Sequence, residues 1–141
     1  MRDALQLPPK RHTQLRAVVL LSAALAAGFR GLAYLPAATS DMSVTSLTYV
    51  EAWVPLWVWS FVWLAGFVFL TVSVFVNRLA IPAMSVFVGM HVLWGTSFIM
   101  SWLFLETPRS WVTGTSVLIM GVFAAVLTIL IERPRADPEE S

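Results

Sequence analysis

Residues 52–105 read AWVPLWVWSFVWLAGFVFLTVSVFVNRLAIPAMSVFVGMHVLWGTSFIMSWLFL, two apolar runs that meet at Asn77 and Arg78 with Pro82 just beyond. As one continuous helix this stretch would be about 80 Å long at ~1.5 Å per residue, whereas the hydrocarbon core of a bilayer is about 30 Å thick. It must fold back on itself. The expected unit is a pair of antiparallel membrane spans, 52–76 and 81–105, joined by a connection too short for anything but neighbours.

Composition extends this reading to the whole chain. Of its 141 residues 58% are hydrophobic and 12% charged, well outside the range of globular domains. The solvent is lipid. Cysteine is absent, which excludes a disulfide framework, a thiol nucleophile and a thiolate metal site.

Working outward, residues 1–16 form a polar flank in which Pro8 and Pro9 oppose an early helix and Lys10, Arg11 and His12 form a basic cluster. Beside a membrane span such a cluster sets orientation and meets anionic headgroups, so no nucleic-acid partner is expected. The first apolar run is too short to cross unless Arg30 is included, which gives a span over 17–35. From there the long stem of Arg30 can carry its guanidinium to the far interface. The sharper alternative is a buried pair with Asp41 or Glu51. A signal peptide is the competing assignment for this end, but neither Leu35/Ala37 nor Pro36/Ala38 is a clean small-residue cleavage pair.

Residues 36–51 form a loop rich in Ser and Thr that carries Asp41 and Glu51 and no Lys or Arg. The entrance to the second span holds Pro55, expected in its first helical turn, and a run of aromatic residues. Trp53, Trp57 and Trp59, with Trp102 and Trp111 on later spans, fit a belt of interfacial anchors at headgroup level. Trp63 is deeper. At helical spacing it joins Trp59, Gly66, Leu70, Ser73 and Asn77, a face suited to packing against another helix.

In the third span Met84, Phe87, His91, Trp94, Gly95, Phe98 and Trp102 share a face, and His91 lies near the middle. An ionisable residue at that depth is a functional hypothesis by default, so His91 is the candidate pore-lining or pH-sensitive residue. The competing role is a neutral imidazole hydrogen-bonded between helices. A fourth span follows over 111–131. Gly114, Val117, Gly121, Ala124, Ala125 and Thr128 line one side of it, a small-residue stripe that permits close backbone approach. Residues 132–141 form a polar tail.

With both termini cytoplasmic, seven of the nine basic residues fall inside, among them Arg16, Arg78 and Arg133, leaving Arg30 and Arg109 towards the other surface. That is a positive-inside bias. The expected architecture is an all-α, antiparallel four-helix transmembrane bundle, multi-pass in a bacterial inner membrane.

No enzymatic constellation is visible: no Ser-His-acid motif, no Gly-rich phosphate loop, no intramembrane carboxylate pair. His12 and His91 lie at different depths and cannot share a metal or haem within one chain. No metal, no cofactor and no enzymatic activity are expected. The chain resembles the small multidrug-resistance exporters in size and span number, but residues 17–29 lack the membrane-embedded Glu of their first helix.

Leu47-Thr48-Tyr49-Val50-Glu51-Ala52-Trp53-Val54-Pro55-Leu56-Trp57-Val58-Trp59, continued by Phe61-Val62-Trp63-Leu64-Ala65-Gly66, resembles the small four-span membrane proteins of actinobacterial phages that are encoded near endolysin genes and described as holin-like. The resemblance implies lateral association that permeabilises the inner membrane, with no catalytic residues. Gly66, Gly114, Gly121 and Ala125 are the expected association contacts, with His91 a trigger for repacking. The alternatives are a transporter or channel subunit using His91, or a structural partner of a larger membrane complex. The expected partners are accordingly the lipid bilayer and either further copies of the chain or another membrane protein.

Overall fold

The computed structural model describes residues 9–35, 49 and 53–131. Its regular structure is helical: α1 (Pro9–Ala33), α2 (Leu56–Phe75), a 3-10 turn (Asn77–Leu79), α3 (Ala80–Phe104) and α4 (Ser110–Ile131). All four long helices have the length and apolarity to cross a membrane. The chain is a small multi-pass membrane protein folded as an all-α four-helix bundle.

The helix starts follow proline chemistry. Helix α1 begins at Pro9 itself, earlier than the span expected from 17, because a proline in the first helical position lacks only an N–H that the helix would leave unused. Pro55 instead stands just outside α2, with extended dihedrals (φ −55°, ψ 141°), so α2 starts at Leu56 rather than Ala52. Pro82 is the third residue of α3, where the missing donor again costs nothing. Between α2 and α3 the reversal is tight, with the Leu79 N–H donating to the Val76 carbonyl at 3.0 Å.

Helix α1 packs chiefly on α2, and α3 on α4, so the bundle is two hairpins. They join where α2 meets α3, while α1 makes only light contact with α3 and α4. In lipid there is no hydrophobic gain from pressing apolar helices together, and close approach and interhelical hydrogen bonds decide the pairing. Each hairpin has such a device. In the first, the buried Ser60 Oγ donates to the Gly31 carbonyl at 2.6 Å, and a Cβ on Gly31 would stand 2.7 Å from Leu64 Cγ. In the second, Gly95 of α3 and Gly114 of α4 meet backbone to backbone: a Cβ on Gly114 would lie 2.7 Å from the Gly95 carbonyl oxygen.

Trp63, Leu70, Trp94, Met84 and Leu20 are the large side chains most completely enclosed. Two further buried hydroxyls are satisfied within their own helices, an arrangement that suits lipid. Ser73 Oγ donates to the Leu70 carbonyl at 2.6 Å and Ser101 Oγ to the Ser97 carbonyl at 2.9 Å.

Candidate functional site

A group of polar and aromatic side chains lines the interior where α1, α2 and α3 meet. Arg30 on α1 and Tyr34, one residue past its end, are four residues apart, with the Tyr34 N–H donating to the Arg30 carbonyl at 3.3 Å. On α2, Trp59 and Trp63 have the same spacing, and α3 contributes Phe87, His91, Trp94 and Phe98. The Arg30 guanidinium lies 5.1 Å from the centre of the Trp63 ring, a cation–π contact. Tyr34 stacks on Trp94 at 5.3 Å with the planes 10° apart. Trp59 meets the same Trp94 edge-on at 5.5 Å, and Trp63 meets His91 edge-on at 5.6 Å.

His91 is enclosed by this cluster, with 2% of its surface exposed. Its Nδ1 is 2.9 Å from the Phe87 carbonyl one turn back. That geometry assigns the proton to Nδ1 in the neutral ring, leaving Nε2 as acceptor. Phe87 covers one side at 4.3 Å between ring centres. On α4, Gly121 comes so close that a Cβ there would be 3.1 Å from His91 Cβ. His91 is a packed interior residue.

Donors exceed acceptors here. The indole Nε1 atoms of Trp59, Trp63 and Trp94 are buried, and none has a hydrogen-bond partner among the described residues. Indole and guanidinium nitrogens donate only. The sole acidic residue among those described is Glu106, in the α3–α4 loop. Such a cluster can receive an anion or a polarised oxygen, but among the described residues it offers no carboxylate for acid–base work. Nor does any group of three His, Cys, Asp or Glu side chains among them form a metal site.

A second polar contact sits at the opposite end of α1. Arg16 Nη1 donates to Asn77 Oδ1, and Nη2 lies 3.3 Å from both the Ser73 and the Asn77 carbonyl oxygens. The C-terminal end of α2, at Ser73, and the start of the 3-10 turn, at Asn77, thereby receive a cation, favourable in charge as well as in hydrogen bonding.

The anchors separate into two groups. Trp53, Trp57, Trp102 and Trp111 are exposed at the Glu106 end of the bundle, Trp53 at 75%. Trp59 departs from that ring: Val58 and Trp59 are half-buried and its indole turns into the cluster with Trp94. Arg78 is exposed in the 3-10 turn, and Arg133 lies outside the described residues, as do Asp41 and Glu51. Gly66 is buried, and a Cβ there would lie 3.7 Å from Met90 Sδ. Gly114 and Gly121 are buried against α3, and Ala125 is half-buried beside them. These glycines therefore hold one chain together and are not free to meet another copy unless the α3–α4 hairpin opens.

Sequence reasoning missed the contacts of Arg30 with Trp63 and of Tyr34 with Trp94. The signal was present in two i, i+4 pairs, Arg30/Tyr34 and Trp59/Trp63, each placing a polar tip beside an aromatic ring on one helical face. Pairing them needed the relative height of two helices. Neither a protein-family model, nor a curated protein, nor a solved structure matches this chain.

Proposed function

We propose that the chain is a non-enzymatic, holin-like protein of a bacterial inner membrane, with both termini cytoplasmic, whose copies associate laterally until the membrane is permeable and a muralytic enzyme can escape. The observation that carries this reading is the incomplete closure of the bundle. Light contact between α1 and α4 leaves an apolar cleft of about 210 Å³, lined by Val18, Ala23 and Ala26 of α1, Phe87 of α3, and Phe123 and Ala124 of α4. It is large enough for side chains of a neighbouring helix, and its alanines permit close approach. Association through the cleft leaves the Gly95–Gly114 contact intact, which association through the glycine stripe would not. His91 belongs to the packed interior in this reading and lines no pathway.

The test is expression in a bacterium with membrane potential as the readout, together with crosslinking of a Ser22→Cys variant, which has a single thiol because the native chain has no cysteine. Collapse of the potential and a crosslinked dimer from the cleft edge are expected. Undisturbed potential and viability, with insertion confirmed, would overturn the proposal.

A further inference from the structure

We propose that Arg30 and the Tyr34–Trp59–Trp63–Trp94 cluster form a binding site for the phosphate of an anionic phospholipid, drawn from the leaflet at the Glu106 end of the bundle. The height of the site follows from two helices independently. Arg16 and Asn77 are hydrogen-bonded and so share a level. Arg30 lies fourteen residues along α1 from Arg16, and Trp63 lies fourteen residues before Asn77, twelve of them within α2. At ~1.5 Å per residue both stand about 21 Å above that level, roughly two-thirds of the way across a ~30 Å core. Their contact agrees with that common height.

A guanidinium at this depth needs a counter-charge. Among the described residues Arg30 has no hydrogen-bond acceptor, and the Trp63 face satisfies its charge without satisfying its N–H groups. In the aromatic cluster that Arg30 joins through Trp63, three buried indole N–H groups also lack acceptors among those residues. The deficit is all of one kind, and an oxyanion supplies what is missing: several acceptor oxygens and a negative charge that suits the planar fork of an arginine. The site has an accessible margin, because Arg30, Tyr34 and Trp59 are half-buried whereas Trp63 and Trp94 are enclosed.

Phosphate chemistry is common to a lipid headgroup and to the free ion, and the surroundings favour the lipid. Phe29 and Leu32, beside Arg30 on α1, are exposed apolar side chains that acyl chains would cover. Arg30 is also close enough to its surface for a headgroup to be drawn inward by local thinning, the usual accommodation for an arginine in a bilayer.

The experiment uses the full chain in phosphatidylcholine nanodiscs, with quenching of its tryptophan emission by phosphatidylglycerol brominated on the acyl chain near the headgroup. Brominated phosphatidylcholine is the reference. The wild type is expected to favour the anionic lipid, and Arg30→Gln to lose about fivefold of that preference, the effect of one basic residue at the surface. Arg30→Lys keeps the charge without the fork and should retain part of it, and unchanged helicity shows that each variant is folded. Equal preference in wild type and Arg30→Gln would overturn the proposal. Displacement of the brominated lipid by millimolar inorganic phosphate would also overturn it, identifying the free ion as ligand. A strong thermal-stability coupling between Arg30→Gln and either Glu51→Gln or Asp41→Asn would assign the acceptor to this chain's own carboxylates and overturn it equally.

Discussion

Gly95 and Gly114 face each other so closely across the α3–α4 hairpin that a methyl group on Gly114 would reach 2.7 Å from the Gly95 carbonyl oxygen. Backbone cannot withdraw as a flexible side chain can. Gly114→Ala is therefore expected to destabilise the bundle by about 1–3 kcal/mol, the range for overpacking. Gly89→Ala is the control, since its Cβ would meet nothing within 4 Å, and a gain of up to ~1 kcal/mol in helix propensity is expected there. Thermal unfolding of the two variants in mild detergent should move in opposite directions.

Arg16 ties α1 to the end of α2 through one side-chain and two carbonyl acceptors. Arg16→Ala and Asn77→Ala should each lower stability by about 1–3 kcal/mol, typical of hydrogen bonds to a charged group. Their effects should be non-additive, with a coupling above ~0.5 kcal/mol in a double-mutant cycle. Arg16→Lys should restore only part of the loss, because an ammonium cannot span the acceptors as a planar fork does.

Glu106 and Arg109, at the two ends of the α3–α4 loop, have φ values of 50° and 66°. Left-handed backbone of this kind costs a residue with a Cβ roughly 1–2 kcal/mol. Glu106→Gly and Arg109→Gly are expected to raise the unfolding temperature, offset partly by the greater freedom of glycine in the unfolded chain. A lowered temperature in both would show that their side chains contribute more than the strain costs.

If copies associate through the α1–α4 cleft, filling it should block them. Ala26→Phe places a ring among the cleft-lining side chains, and loss of the membrane-potential collapse, with insertion and helicity retained, is the expected outcome. Gly89→Ala, on the stability control position, should leave the collapse unchanged.

The hairpin over 52–105, the four spans and most of the buried face of each helix were legible in the amino-acid order. Trp63, Gly66, Leu70 and Ser73 share a helical face by spacing alone and are buried together. The same holds for Met84, Phe87, His91, Trp94 and Gly95. Trp102 shares that spacing yet is exposed, because it lies about two turns past the level where Tyr34, just beyond α1, stacks on Trp94. Periodicity identifies a face and says nothing of how far the neighbouring helix runs.

The opening stretch shows where the division falls. That it crosses, turns back at Asn77 and crosses again is a local matter, since the free energy of entering lipid is summed over some twenty neighbouring residues and proline and charge mark the ends. Which helix it then meets is not local. Inside a bilayer apolar faces have no water to escape, so partners are selected by close backbone approach and by hydrogen bonds between groups far apart in the chain. Arg30 over Trp63, Arg16 on Asn77, Trp59 turned inward from the anchor ring and Gly114 against Gly95 all came from that selection, and the pattern of any single helix contains none of them.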